Sequence, residues 1–270
     1  VKASRIKDIL EVLPVDPLPE ASRVFIDWVA NYTMQQPGKV LRMNMSAPDA
    51  LYPKAPKTGY RITSTLPAKM TSARERVLDV LEGGLARTAS EIAELAGVST
   101  SVVKGLEKTG SLIAVDLPAE EEIPQPDGKK EGMPLSDLQK SASDTLSSLV
   151  LKDEFSATLL EGVTGSGKTE VYFEAIATCL LAHRQSLVLL PEIALSSQWL
   201  SRFEKRFGVK PVEWHSDLSQ GERRRNWRAV IEGRAKVVVG ARSALFLPFP
   251  DLGLIVVDEE HEASFKQDEG

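Results

Sequence analysis

Cysteine is almost missing from these 270 residues: Cys179 is the only one. A lone thiol excludes an internal disulfide framework and a zinc cluster built from several cysteines, and it makes a reducing cytoplasm the default compartment. Long apolar runs are missing too. No stretch nears the roughly 20 residues that a membrane-spanning helix needs, and no signal peptide is legible at the start. Positive charge is not in excess: 33 Lys and Arg against 38 Asp and Glu leave a net charge of −5. That balance argues against a uniformly basic nucleic-acid coat but permits a local basic groove. What remains is ordinary for a soluble globular protein, with 42% hydrophobic and 26% charged residues and enough chain for two or more cored domains. Val1 falls inside a patterned segment, so a fragment of something longer is expected.

The stretch Leu159-Leu160-Glu161-Gly162-Val163-Thr164-Gly165-Ser166-Gly167-Lys168-Thr169-Glu170 organises the rest. Its Gly, four residues, then Gly-Lys-Thr is the phosphate-loop pattern, and it stands between an apolar pair that reads as a strand end and a helical stretch, residues 171–181. Gly162, Gly165 and Gly167 let the backbone curl so that successive N–H groups face an anion, and the following helix adds its positive end. Lys168 is then the cation for the β- and γ-phosphates of ATP, and Thr169 a magnesium ligand.

A second decisive stretch is Leu254-Ile255-Val256-Val257-Asp258-Glu259-Glu260-His261. Four apolar residues followed by acids describe a buried parallel strand that emerges at the ligand edge. Asp258 is the candidate for holding Mg2+ opposite Thr169, and Glu259 for orienting and deprotonating the attacking water. His261 is either a relay of the nucleotide state or an ordinary loop residue.

Along the chain, residues 1–57 make a small apolar segment, proline breakers and a helix with Trp28 and Tyr32 as a packing stripe; Val40, Leu41, Met43 and Met45 suggest a strand. Residues 71–115 read as helix, glycine turn, helix and strand, the order of a winged-helix domain. Their five Lys and Arg against six Asp and Glu leave DNA contact and a spacer role equally open. Residues 116–134 carry Glu120-Glu121-Glu122 and several prolines and glycines, which marks a solvated linker. From 135 to 270 strands and helices alternate as in a parallel α/β sheet, with candidate strands at 158–161, 186–190, 211–215, 236–239 and 254–258. The run Arg223-Arg224-Arg225 spreads around a helix and is expected to be a solvated face.

Asp-Glu-x-His after an apolar strand, together with the phosphate loop, resembles superfamily 2 helicases. Leu189-Leu190-Pro191-Glu192-Ile193-Ala194-Leu195, His215-Ser216 and Gly240-Ala241-Arg242-Ser243-Ala244-Leu245-Phe246, followed by Asp258 to Gln267, narrow this. The series resembles the primosomal protein N′ (PriA) family, bacterial helicases of replication restart, over residues 135–270. The resemblance implies an α/β, RecA-like P-loop lobe, incomplete at Gly270, behind a winged-helix domain and part of a domain that binds the 3′ end of a DNA strand. It implies ATP and Mg2+ as cofactors, with zinc only in a later, cysteine-rich part, and nucleotide contacts from Gly162, Val163, Thr164, Gly165, Ser166, Gly167, Lys168 and Thr169, with Gln139 at the adenine. It places Pro191, Glu192, Gln198, His215, Arg242 and Ser243 toward single-stranded DNA, and Lys7 near the 3′ end. The family's usual threonine before Arg242 is Ala241 here, which puts that hydroxyl contact in doubt. Implied partners are forked and single-stranded DNA, primosome proteins and single-stranded DNA-binding protein, in a bacterial cytoplasm with no membrane. The first strands of the amino-terminal domain are expected before Val1. The second lobe, whose arginines complete such ATPase sites, is expected after Gly270, so slow turnover by these residues alone is expected. Two other readings are a different superfamily 2 translocase and a fork-binding scaffold with a regulatory nucleotide site.

Overall fold

The computed structural model describes residues 12, 15, 17–52, 56–117, 122–152, 154–163, 165–191 and 197–262. The chain divides into two compact units, Val1–Tyr52 with Ile123–Gly270, and Pro53–Glu122. No helix among the described residues is long and apolar enough to cross a membrane.

The larger unit opens with α1 (Glu20–Tyr32) and α2 (Pro37–Asn44), then a 3₁₀ turn, Pro48–Leu51. After Ile123 it continues with α6 (Asp137–Leu151), α7 (Lys168–Leu181), β4 (Gln185–Leu189), α8 (Ser197–Phe207), β5 (Val212–Trp214), α9 (Gln220–Ile231), β6 (Val237–Gly240), a 3₁₀ turn at Arg242–Phe246, and β7 (Leu252–Val257). The four strands form a parallel sheet in the order β5-β6-β4-β7. Central strands of such a sheet are covered on both faces, so they read as unbroken apolar runs. The whole of β4 and of β6 is buried, whereas Ile255 and Val257 on β7 stay 44% and 48% exposed at the sheet's edge. One face is packed by Phe173, Trp199, Phe203 and Phe207 from α7 and α8; the other holds Trp214, Trp227, Ala229 and Val230.

Three expectations change here. Val40, Leu41 and Met43 are helical, within α2, and Met45 caps its end, because Pro37 starts a helix at N1 and the buried residues Val40 and Asn44 are four apart. Residues 158–161 join no strand: two leucines between polar neighbours supply little surface to bury, and Leu159 remains 69% exposed. Trp28 and Tyr32 are not core; they stack on each other with centroids 5.0 Å apart and are 56% and 74% exposed. Residues 17–52 are also no separate body. Ala47 and Ala50 sit in the same core cluster as Trp214 and Trp227, the Trp227 indole N–H donates to the Asn44 carbonyl at 2.8 Å, and the Asn44 amide donates to the Phe246 carbonyl at 2.8 Å.

The smaller unit begins earlier than position 71. β1 (Lys57–Ile62) lies between β2 (Arg87–Thr88) and β3 (Leu112–Leu117) in an antiparallel sheet, joined by α3 (Ser72–Leu81), α4 (Ala89–Ala96) and α5 (Thr100–Lys108). Val77, Leu81, Ile92, Val103, Leu106 and Leu112 make its core. A capping box of Thr88 and Glu91 starts α4, and Gly97 ends it in the left-handed region at φ 60°.

Candidate nucleotide site

The glycine-rich loop is curled where its sequence demands it. Gly165 and Gly167 have φ of 79° and 82°, values that favour glycine, and Gly167 is the residue from which α7 departs. A Cβ on Gly162 would lie 2.6 Å from the Ser166 hydroxyl, and one on Gly167 would collide with the Gln139 amide. The Lys168 ammonium folds back across the curl and donates to the Gly162 carbonyl at 2.7 Å. The cradle therefore fits a phosphate: glycine backbone, a helix start and a cation meet at one place. Thr164 lies outside the described residues, as do Glu192 and Lys7.

Gln139 sits against this loop rather than beyond it. Its carbonyl accepts from the Ser136 N–H at 2.8 Å, closing a capping box at the start of α6, and its amide donates to the Ser166 carbonyl at 2.8 Å. Both ends of the side chain are engaged, so its position in this structure is that of a brace for the loop.

Asp258 follows β7 and continues its ladder one residue further, its N–H donating to the Leu189 carbonyl at 3.0 Å. This carries the carboxylate to the end of the sheet where α/β folds bind ligands. There its Oδ2 accepts from the Tyr172 hydroxyl at 2.8 Å and its Oδ1 from the Glu259 N–H at 3.0 Å. The Tyr172 oxygen in turn accepts from the Trp199 indole N–H at 2.7 Å. Tyr172 stands one helical turn after Thr169 on α7, so it joins Asp258, one candidate magnesium ligand, to the helix that carries the other. Burial, and then the negative charge of Asp258, push the Tyr172 hydroxyl well above its ordinary pKa. Glu259 is placed differently from Asp258. It adopts φ 52°, is solvent-exposed, and its carboxylate lies 3.5 Å from the His261 ring.

The other candidates follow the carboxyl ends of neighbouring strands. Pro191 follows β4 but is buried, so it shapes the chain rather than presenting a surface. Gln198, Arg242 and Ser243 are exposed. His215 follows β5; its Nδ1 accepts from the Asp217 N–H at 3.3 Å and its Nε2 lies 3.7 Å from Glu213. Arg223 is not simply a solvated charge: its guanidinium donates to the His215 carbonyl at 3.0 Å and covers the Trp214 ring at 5.1 Å.

Similarity to known proteins agrees with this geometry. Residues 137–269 match the DEAD/DEAH box helicase family. Replication restart protein PriA of Chlamydia pneumoniae is 34% identical over 98% of this chain and 38% of its own length. The chain belongs to the PriA family. The Rickettsia felis PriA is 39% identical over 77% of this chain and 32% of its own length. The Bacillus subtilis PriA is 46% identical over 52% of the chain and 18% of its own. The chain therefore spans well under half the length of these PriA proteins. Its sheet and flanking helices form an α/β, RecA-like helicase lobe.

Sequence reasoning missed the residues that tie α7 to α8. Glu170 pairs with Arg202 at 2.8 Å and Glu174 with Arg206 at 3.0 Å, while Phe173 packs edge-on to Trp199, Phe203 and Phe207. Tyr172 was detectable only in part: three residues after Thr169 on a helix, it shares that residue's face.

Proposed function

We propose that this chain supplies the ATP-binding lobe of a DNA helicase or translocase that acts at stalled replication forks to restart replication. The observation that carries the reading is the 2.8 Å hydrogen bond from Tyr172 to Asp258, with Tyr172 one turn beyond Thr169 on the helix that departs from the left-handed Gly165 and Gly167. In this reading Lys168 neutralises the β- and γ-phosphates, while Thr169 and Asp258 hold Mg2+. The magnesium nucleotide supplies an electrophilic γ-phosphoryl group, activated by the metal's charge. Glu259 orients the attacking water once its side chain turns from His261, and His261 reports that movement to the neighbouring surface. Gln139 contacts adenine only by releasing the loop, so bracing the loop is its first role.

Glu192, Gln198, His215, Arg242 and Ser243 form the candidate track for single-stranded DNA, with phosphates met by the cation and hydroxyl groups. We assign the smaller unit to the winged-helix class on its three helices and antiparallel sheet, and Lys7 to the 3′ end of a DNA strand. Forked DNA, primosome proteins and single-stranded DNA-binding protein are the partners this reading implies, in a bacterial cytoplasm. Turnover by these 270 residues is expected to be slow, because arginine contacts from a second lobe are worth about 10³–10⁵-fold in such enzymes.

Binding is accordingly the direct test. Replacing Lys168 by Ala removes a charge-assisted contact of about 1.5–3 kcal/mol, which weakens fluorescent-ADP binding roughly 10–150-fold. Wild-type affinity in Lys168→Ala contradicts the reading.

A further inference from the structure

We propose that Tyr172 is a positioning residue that holds Asp258 ready for the metal and joins it, through Trp199, to the helix that begins beside Gln198. This rests on the nucleotide-site reading above and adds a residue and a route that the motif roles do not contain.

The direction of each hydrogen bond is fixed by chemistry. An indole N–H only donates, so the Tyr172 oxygen must accept from Trp199 at 2.7 Å. The single phenolic proton is left for Asp258 Oδ2 at 2.8 Å. With the Glu259 N–H on Oδ1 at 3.0 Å, the carboxylate is gripped on both oxygens, and each oxygen keeps a lone-pair site facing elsewhere. Tyr172 and Trp199 are 5% and 6% exposed. Away from water a chain of hydrogen bonds strengthens along its length, and a broken link leaves a polar group stranded.

Packing alone does not call for the hydroxyl. Phenylalanine would fill the same space, and a buried hydroxyl costs free energy unless it is bonded. What the hydroxyl adds is a polar link from the Asp258 carboxylate itself to the first turn of α8. On one side stand Thr169 and Asp258. On the other stands α8, fastened to α7 by Glu170–Arg202, Glu174–Arg206 and the ring cluster around Phe173. Trp199 lies in the first turn of α8, next to Gln198 of the candidate DNA track. A shift of the Asp258 carboxylate toward a metal pulls on the phenol, and the phenol pulls on that first turn. The device is a short polar rod from the metal site to the DNA-facing segment.

The test uses the 270-residue chain with fluorescent ADP and a Mg2+ titration, read both by nucleotide affinity and by tryptophan emission. Wild-type protein is expected to change emission on adding Mg2+ to the ADP complex, and Trp199→Phe to lose that change. Tyr172→Phe is expected to weaken Mg2+ about 10–100-fold, as loss of a partner behind a metal ligand does, and to show no emission change at saturating Mg2+. Its affinity for ADP without metal should stay at the wild-type value, which also shows that the variant is folded. Wild-type Mg2+ affinity together with an intact emission change in Tyr172→Phe overturns the proposal. So does a Mg2+-dependent emission change that survives in Trp199→Phe, a result that does not depend on Tyr172→Phe folding. Failure of the wild-type chain to bind ADP at all would instead sink the nucleotide-site reading itself.

Discussion

At the scale of single residues, the loop's glycines and the Asp258 carboxylate do different kinds of work. Gly167 is needed for its backbone: φ 82° is a conformation that side chains resist at about 1–2 kcal/mol, and a Cβ there runs into the Gln139 amide. Gly167→Ala should therefore destabilise the larger unit by about 1–2 kcal/mol, more if the bond from Gln139 to Ser166 is lost as well. Urea unfolding measures this, and an unchanged midpoint would refute the strain argument. Asp258, by contrast, is needed for where its oxygens point. Its position was legible from four apolar residues followed by acids, since that pattern places an acid at a strand's end. Its partners were not legible. Tyr172 is 86 residues from Asp258 and 27 from Trp199 in sequence, and an aromatic early in an apolar helix reads equally well as plain core. Glu259 shows a further limit: adjacency in sequence put it with Asp258, but its left-handed backbone turns the chain and sends the carboxylate toward His261.

At the scale of elements, β4 and β6 were readable because strands covered on both faces leave unbroken apolar runs, and β7 because its run is as apolar although it lies at the sheet's edge. Residues 40–45 were misread because Leu41, Met43 and Met45 alternate like a strand, although Pro37 followed by buried Val40 and Asn44 fits a helix. Residues 158–161 were misread because two leucines before a glycine loop resemble a strand end whether or not a neighbour pairs with them. The structure also starts α4 with a capping box at Thr88-Ala89-Ser90-Glu91: the Glu91 carboxylate accepts from the Thr88 N–H at 2.8 Å, and the Thr88 hydroxyl accepts from the Glu91 N–H at 3.3 Å. Those bonds to Thr88 hold the Glu91 carboxyl below its ordinary pKa. A carboxyl depressed on folding stabilises fully above its unfolded pKa, and the contribution is lost as pH falls through the folded value. The start of α4 should accordingly fray with acid in that window, measured by amide exchange at Thr88 and the first turn. Glu91→Gln, which can keep the cap but cannot titrate, should flatten this dependence; an acid profile identical to wild type would contradict the assignment.

At the scale of the whole molecule, sequence order misleads about which parts belong together. Residues 17–52 precede the smaller unit in the chain, yet Ala47, Ala50 and Asn44 are built into the core of the helicase lobe around Trp227. The smaller unit, Pro53–Glu122, is in effect an insertion between two parts of one body. Contacts between residues 183 and 202 positions apart, Asn44 with Trp227 and with Phe246, leave no local signature, so residues 1–57 read as part of a domain of their own. The second boundary falls inside residues 116–134, read as a solvated linker, yet Ile123 packs against the core around Trp227 and the Asp127 N–H donates to the Phe207 carbonyl at 2.9 Å, contacts that a proline-rich, charged composition does not announce. In the reading proposed above, this lobe brings a phosphate cradle and a metal-holding carboxylate, Asp258, together beside one parallel sheet. The most direct measurement of that claim is a Mg2+ titration of ADP affinity in wild type, Thr169→Ala and Asp258→Asn. Mg2+ should tighten nucleotide binding in the wild type, and each substitution should abolish most of that gain. If both variants kept the full wild-type response to Mg2+, the metal would not lie between Thr169 and Asp258, and the account of this site would be wrong.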